Sequence, residues 1–162
     1  MHSILKNFRK GKYTSKPFPY IVIDDALPTN YYNKLDESFP EYEKIIDSQE
    51  YFQNFAYRKN AAESLSDNLI PEIWKTFIRY HTSFNFVEEV YKVFGKDIIV
   101  NYPPMENNYL QRYHCGIRFL EKKDFNLDTQ FVINTPVEKK SSVIEPHLDN
   151  PIEFFAGLLY MR

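Results

Sequence analysis

The sequence predicts an α+β fold, and three observations lead to this prediction. Apolar residues recur at helical spacing between residues 29 and 94, whereas short apolar runs and alternating patterns follow residue 96. Helices followed by strands are typical of helices packed on an antiparallel sheet. The chain has 162 residues, of which 43% are hydrophobic, and this is enough for one domain with its own core.

The composition disfavours several classes of protein. With 20 Lys and Arg against 22 Asp and Glu, the net charge of -2 disfavours nucleic-acid binding by bulk charge. Only 4 Gly are present, which is too few for a glycine-rich phosphate-binding loop. A single Cys excludes a disulfide within the chain and indicates a reducing compartment, so we expect a cytoplasmic protein. No apolar run approaches the roughly 18 residues of a membrane span, so we expect no membrane partner.

The N-terminal segment is basic and poor in apolar residues. Its cations are Lys6, Arg9, Lys10, Lys12 and Lys16. We expect a loosely attached basic arm over residues 1–16, followed by one domain over residues 17–162. A phosphate-binding patch is the alternative interpretation of the same cations.

Residues 17–40 predict a strand and then a helix. A segment with two prolines, residues 17–20, leads into the apolar run 21–23, which is typical of a short strand. Thr29 or Asn30 is suited to cap a helix that continues to about residue 38. The buried face of this helix is marked by Tyr31, Leu35 and Phe39.

Two more helices are predicted after a segment that is harder to interpret. The aromatic side chains of residues 41–69 indicate packed irregular structure or a strand. Pro71 is well placed to begin a helix, and the next helix begins at Thr82 or Ser83 and is expected to end at Gly95. Their apolar stripes are Ile73, Trp74, Phe77 and Ile78 in the first, and Phe86, Val87, Val90, Val93 and Phe94 in the second.

Strands are predicted throughout the remainder of the chain. Short apolar runs indicate strands at residues 98–100, 113–120, 143–148 and 154–161. Residues 125–133 alternate between apolar and polar types, which is the period of a half-buried strand. We expect these strands to form the antiparallel sheet of the α+β fold.

Residues 145–150, Glu-Pro-His-Leu-Asp-Asn, contain the most informative pair of side chains. On a strand, His147 and Asp149 point to the same face, because side chains alternate. Two His and one carboxylate hold non-haem Fe(II), so this pair supplies two of three candidate metal ligands. The turn that Asn150-Pro151 indicates leaves a plainer alternative open, a surface His beside a turn-capping Asp.

Both ends of the chain resemble a known family. The C-terminal part contains a strand with Gln130, a polar loop, the His-x-Asp strand and an apolar strand ending Leu-Leu-Tyr-Met. The opening Pro-Phe-Pro-Tyr-Ile-Val-Ile-Asp-Asp-Ala-Leu-Pro adds a strand before the first helix. These features resemble the prolyl-4-hydroxylase-like branch of the Fe(II)/2-oxoglutarate-dependent oxygenases. The resemblance is specific over residues 125–162 and loose through the helical middle.

The resemblance implies a fold, two cofactors and three site residues. The family fold is a double-stranded β-helix, a jelly-roll pair of sheets with helices packed outside. The family's reaction uses Fe(II), 2-oxoglutarate and O₂ to hydroxylate an unactivated C–H bond, releasing succinate and CO₂. His147 and Asp149 match the first two iron ligands. Asn134 lies roughly where the family has a 2-oxoglutarate-contacting Tyr, although a residue at a strand end before a turn is an equal interpretation.

The sequence also departs from the family pattern. No His follows His147, and Arg162 lies too close to the pair to match the family's distal basic residue. Among the other histidines, His114 is the least implausible third ligand, and His81 is expected to be structural. We expect the chain to be a fragment of a longer oxygenase that lacks the C-terminal half of the barrel. A degenerate module, or a barrel completed by another chain, are the alternatives.

Two functions of different classes follow. The first is a prolyl-4-hydroxylase-like, 2-oxoglutarate-dependent dioxygenase acting on an unidentified peptidyl or small-molecule substrate. Because the family's distal His and 2-oxoglutarate-binding Arg are absent, an inactive fragment of such an enzyme is the alternative. The second is a non-catalytic jelly-roll module whose aromatic surface binds a protein or a glycan. An incomplete barrel would have open strand edges, so we also expect a homo-oligomer or a poorly soluble chain. The apolar side chains expected to face water in that case are Phe131, Ile133, Phe155 and Leu159.

Overall fold

The computed structural model describes residues 2–47, 49–103, 109–137 and 153–161. It is a mixed α and β structure, as predicted. The helices are α1 (Thr29–Glu37), α2 (Tyr42–Ile46), α3 (Ala61–Ser66), α4 (Glu72–His81) and α5 (Phe84–Asn101). The strands are β1 (Lys12–Thr14), β2 (Tyr20–Val22), β3 (Ala56–Lys59), β4 (Cys115–Ile117), β5 (Phe125–Leu127) and β6 (Phe131–Asn134). Short 3-10 helices occupy Phe8–Lys10 and Tyr109–Arg112.

The described strands form three ladders of two strands each. β1 pairs with β2 and β3 pairs with β6, both antiparallel, whereas β4 pairs with β5 in parallel. The single antiparallel sheet that we expected is therefore not present within the described residues. None of the described helices is both long and apolar enough to cross a membrane.

The larger hydrophobic cluster lies between helices α1 and α4 and the β3–β6 ladder. Trp74 is at its centre, with ring centroids 5.6 Å from Phe39, 5.6 Å from Phe77 and 4.9 Å from Phe131. Its indole N–H donates to the carbonyl oxygen of Leu35 at 3.0 Å, which ties α4 to α1. The buried faces predicted for α1 and α4 are thus confirmed.

A second cluster lies along α5. Its buried members are Leu5, Phe86, Val90, Phe94 and Ile98. The C-terminal segment reaches this cluster through Phe155, whose ring centroid lies 5.9 Å from that of Phe86 and 6.0 Å from that of Phe94. α5 therefore packs against both ends of the described chain.

The N-terminal segment is attached more firmly than we expected. Leu5 is only 4% exposed, and the backbone N–H of Ile4 donates to Nε2 of buried His81 at 3.2 Å. β1 is paired along its whole length with β2. The expectation of a loosely attached arm is wrong, because the buried side chain of Leu5 and the β1–β2 ladder attach this basic segment to the domain.

Helix α5 is longer than predicted. It continues through Gly95 to Asn101, so both the helix end at Gly95 and the strand at 98–100 are wrong. Ile98 is 4% exposed in the second cluster, and the burial of its side chain stabilises the helix beyond Gly95. Glycine also fits here because the ring of Tyr91 would lie 3.2 Å from a Cβ at this position.

The predicted strands of the C-terminal part are shorter and differently paired. The strand expected at 113–120 is reduced to β4, and the alternating stretch 125–133 divides into β5 and β6, which pair with different partners. The strand expected at 154–161 is not formed, since residues 153–161 have no regular secondary structure. The strand expected at 143–148 lies outside the described residues.

The apolar side chains that we expected to face water are instead packed. Phe131 is 4% exposed, while Ile133 and Leu159 are partly buried against the first cluster and Phe155 against the second. That expectation is wrong because Trp74 of α4 packs on Phe131, helix α2 packs against β3 and β6, and Phe155 packs on α5. The exposed apolar residues of the C-terminal segment are Leu158 and Tyr160, at 78% and 81%.

Candidate cofactor-binding face

The β3–β6 ladder positions the one candidate cofactor residue that the structure describes. Its register pairs Tyr57 with Ile133 and Ala56 with Asn134. Opposed residues of an antiparallel pair share a face, and neighbours along a strand alternate. The ladder therefore has two chemically different faces.

Helices cover the first face. Tyr57 and Phe131 lie on it and are 1% and 4% exposed. The Tyr57 hydroxyl donates to the carbonyl oxygen of Glu50 and accepts the backbone N–H of Phe52, both at 2.5 Å. Tyr57 and Phe131 are thus part of the hydrophobic core.

The second face, which we call the helix-free face, consists of Ala56, Arg58, Val132 and Asn134. Ala56 and Val132 are half-buried, whereas Arg58 and Asn134 are exposed. Asn134 is the last residue of β6, directly opposite Ala56. The described structure thus places the predicted cofactor residue on a surface open to a ligand.

Arg58 is a site residue that the sequence analysis missed. Its Nη1 donates to Oε1 of Gln130 at 3.1 Å, and Nε2 of Gln130 donates to Oδ2 of Asp128 at 2.6 Å. Oδ1 of Asp128 accepts the backbone N–H of Ala61 at 2.9 Å, which fixes the chain of bonds to the start of α3. This series of hydrogen bonds holds the Arg58 guanidinium group on the same face of the ladder as Asn134. One arginine within a short strand does not indicate a binding site in the sequence, so Arg58 could not be identified from the sequence alone.

Thr135 anchors the end of the ladder. It is 4% exposed, and its Oγ1 accepts the backbone N–H of Phe55 at 2.9 Å and donates to the carbonyl oxygen of Phe52 at 2.9 Å. The backbone N–H of Asn54 donates to the carbonyl oxygen of Pro136 at 3.0 Å, which extends the pairing. The position of Asn134 is therefore fixed on both sides.

Replacing Thr135 with valine is expected to lower the free energy of unfolding by about 1–3 kcal/mol, because the backbone N–H of Phe55 loses its acceptor and the carbonyl oxygen of Phe52 loses its donor. Urea denaturation followed by circular dichroism measures the change. The matched control is the partly exposed Thr129→Val, for which we expect a much smaller loss. Equal losses in the two variants would contradict this role of the Thr135 hydroxyl.

The two predicted metal ligands, His147 and Asp149, lie outside the described residues. Both flanks of their segment are held in the described structure. On one side Pro136 is bonded to Asn54, and on the other the ring of Phe154 lies 5.2 Å from that of Phe125. The described residues hold no group of three or more His, Cys, Asp or Glu that could bind a metal ion.

His81 has a structural environment, as expected. Its Nδ1–H donates to the carbonyl oxygen of Phe77 at 2.8 Å, which leaves Nε2 to accept the N–H of Ile4. Burial lowers the pKa of His81 to about 4, although Phe77 and Glu89 act in the opposite direction. Both ring nitrogens are occupied, so His81 is not a candidate third ligand.

His114 is paired with a carboxylate at the surface. Its Nδ1 lies 3.4 Å from Oδ2 of Asp124, and its backbone N–H donates to the same oxygen at 2.8 Å. These bonds from His114, the backbone one first, hold the pKa of Asp124 below its usual range. His114 borders an open cleft of about 460 Å³ together with Cys115. Burial raises the pKa of Cys115 to about 11, so its thiol is protonated at neutral pH.

Comparisons with known proteins return no relative from which site residues can be transferred to this chain. The candidate site therefore depends on the geometry of the ladder and on the chemistry of its side chains. No family model, no curated protein and no solved structure matches the chain.

Proposed function

We propose that this protein is an Fe(II)/2-oxoglutarate-dependent hydroxylase that acts on an unactivated C–H bond. The observation that carries the proposal is the helix-free face of the β3–β6 ladder, where Asn134 and Arg58 lie together. The side-chain amide of Asn134 and the guanidinium group of Arg58 lie on one face of this ladder, and this supports the proposal in addition to the resemblance in the sequence.

The two-sided character of this ladder supports a jelly-roll fold. In a jelly roll with helices outside, one face of a sheet packs on helices and the other faces the second sheet and the site. Tyr57 and Phe131 lie on the helix side, and Asn134 and Arg58 on the opposite side. The ladder would then belong to the sheet that carries the helices, with its helix-free face toward the cofactors.

The donor set of the chain fits Fe(II). His147 offers a neutral nitrogen and Asp149 a hard carboxylate oxygen, which is the ligand combination of non-haem Fe(II) sites. These two residues would hold the metal, with a further ligand still to be identified. When bound, Fe(II) and 2-oxoglutarate supply the oxidising chemistry, and the protein supplies binding and orientation.

Asn134 and Arg58 are suited to bind the carboxylates of 2-oxoglutarate. The Asn134 side-chain amide is a hydrogen-bond donor, and the Arg58 guanidinium offers a planar fork that matches a carboxylate. Gln130 and Asp128 orient Arg58 through the bonds described above. The substrate would be a peptidyl side chain or a small molecule.

Turnover of 2-oxoglutarate tests this function. Any succinate that the purified chain forms is expected to require both Fe(II) and O₂, and His147→Ala or Asp149→Ala is expected to abolish it. Arg58→Gln is expected to raise the KM for 2-oxoglutarate about 10-fold or more, because a hydrogen bond to a charged group contributes about 1.5–3 kcal/mol. Succinate measured by mass spectrometry gives the rate.

The matched controls carry the same types of change elsewhere on the surface. Arg79→Gln removes an exposed guanidinium that pairs with Glu72 on α4, and it should leave the KM unchanged. Asn134→Ala is also expected to raise the KM for 2-oxoglutarate, and Asn126→Ala, a change at another exposed asparagine, is its control. Succinate formation that persists in both His147→Ala and Asp149→Ala would reject the proposed metal site.

A non-catalytic interaction module is the second candidate, favoured by one exposed aromatic group. Tyr51, Phe52 and Phe55 are 50%, 51% and 43% exposed beside the end of the β3–β6 ladder. Aromatic side chains of this kind are enriched where proteins bind partners. A folded chain without Fe(II)-dependent turnover would favour this function, and sedimentation would show whether the partner is a second copy.

A further inference from the structure

The outer face of the β1–β2 hairpin carries features that the proposed hydroxylase does not use. The register pairs Lys12 with Val22 and Thr14 with Tyr20, so these four side chains share one face. The opposite face packs inward, where Ile21 contacts the cluster around α5. The outer face is therefore turned to solvent.

Tyr20, on this outer face, lies beside a second aromatic ring, that of Phe18. Phe18 and Tyr20 are 63% and 41% exposed, and their ring centroids are 5.8 Å apart. The ring planes are inclined by 52°, so the rings do not cover each other face to face. Each ring therefore offers a surface on which a planar group can stack.

The positive charge of the chain is concentrated in the same segment. Residues 1–23 contain five Lys and Arg and no Asp or Glu, although the whole chain has a net charge of -2. All five cations are exposed, and none forms an ion pair within the described residues. Their side chains are Lys6, Arg9, Lys10, Lys12 and Lys16.

This surface is already ordered by the rest of the protein. The hydroxyl of Tyr13 donates to Oδ2 of Asp97 at 2.6 Å, which ties β1 to α5. Nδ2 of Asn7 donates to the carbonyl oxygen of Asp25 at 3.3 Å, and Leu5 is buried. A ligand that binds here has little ordering entropy to overcome on the protein side.

We propose that this outer face binds single-stranded nucleic acid. Its phosphates would lie on Lys12, Lys16 and the neighbouring cations, and its bases would stack on Phe18 and Tyr20. Cations that follow the backbone, combined with aromatic rings for the bases, are the usual means of binding a single strand. The proposal does not depend on the hydroxylase function.

Other anionic partners match the surface less well. An acidic peptide would pair with the cations but would leave the two exposed rings without planar groups to stack on. Membrane binding scales with buried apolar area, and this face offers only three apolar side chains, Phe18, Tyr20 and Val22. The net charge of -2 opposed nucleic-acid binding by the chain as a whole, but the local charge is of the opposite sign.

Fluorescence anisotropy with a labelled oligothymidylate of about 12 nucleotides tests the proposal, since single-strand sites of this kind cover about 4–16 nucleotides. The full chain is expected to bind this probe more tightly than a duplex or poly-glutamate of equal charge. Phe18→Ala combined with Tyr20→Ala is expected to weaken binding roughly 10-fold or more with an unchanged salt dependence. Lys12→Gln combined with Lys16→Gln is expected to reduce the slope of log affinity against log salt by about 1.4.

The control replaces two exposed lysines elsewhere, Lys34→Gln with Lys92→Gln, and should leave both quantities nearly unchanged. Circular dichroism verifies that each variant is folded. Equal binding to duplex, poly-glutamate or phosphatidylserine vesicles would overturn the proposal. The same conclusion follows if the control pair weakens binding as much as Lys12→Gln with Lys16→Gln does.

Discussion

Trp74→Ala is expected to lower the free energy of unfolding by about 3–5 kcal/mol, the range for removing a large buried aromatic side chain. Trp74 is 4% exposed and contacts Phe39, Phe77 and Phe131, so its removal leaves a cavity between α4, α1 and β6. Urea denaturation followed by circular dichroism measures the loss.

Two further variants separate the causes of that loss. Trp74→Phe keeps an aromatic ring but removes the N–H that donates to Leu35, so we expect a smaller loss, about 1–3 kcal/mol. Leu69→Ala truncates a side chain that is 64% exposed and should cost much less. A loss at Trp74→Ala no larger than that at Leu69→Ala would contradict the central position of Trp74.

The stability of the protein is expected to fall by about 3 kcal/mol as the pH decreases from about 6.5 to about 4, because of His81. Burial lowers the pKa of His81 from 6.5 to about 4, so the unfolded chain binds a proton in this range that the folded chain does not. A difference of about 2.5 pKa units corresponds to about 3 kcal/mol at 1.36 kcal/mol per unit. The stabilisation is fully present above pH 6.5 and is lost as the pH falls through 4.

Burial of the imidazole disfavours its charged form, and protonation also breaks one of its two hydrogen bonds. Protonated Nε2 is unable to accept the N–H of Ile4, so the N-terminal segment loses its bond to α4. Glu89 raises the pKa, and it also accepts hydrogen bonds from the hydroxyls of Tyr80 and Ser3. Acidification should therefore release the first residues before the main core.

Chemical denaturation at a series of pH values measures this effect. His81→Gln is expected to remove most of the decline between pH 6.5 and 4 while lowering the stability at pH 7. His114→Gln changes a histidine with an 80% exposed side chain and should preserve the decline. An unaltered pH profile in His81→Gln would show that other groups cause it.

The sequence predicted the helices best where local periodicity and tertiary burial agree. α1 and α4 begin within a residue or two of Thr29 and Pro71, and their apolar stripes are the faces that form the first cluster. α5 was predicted to end early, because the local preference of Gly95 is weaker than the burial of Phe94 and Ile98 on either side of it. Glycine in a helix costs only about 1 kcal/mol relative to alanine, and a buried apolar side chain compensates for this.

The strands show the limits of prediction from pattern. Alternation identified residues 125–133 as extended, but it contains no information about which strand pairs with which. β5 pairs in parallel with β4, and β6 pairs with β3 across about 75 residues of chain. Such pairings depend on packing contacts between distant segments, which a local period does not describe.

By itself, the sequence determined that the fold mixes helices and strands, which faces of α1 and α4 are buried, and the choice of Asn134, His147 and Asp149 as candidate site residues. Only the tertiary structure decided that Asn134 lies on the helix-free face and that Arg58 lies beside it. The reason is physical. A shift of one residue in the β3–β6 register would place Asn134 and Arg58 on opposite faces of the ladder, and that register is set by the packing of Tyr57 and Phe131 against a core assembled from distant parts of the chain.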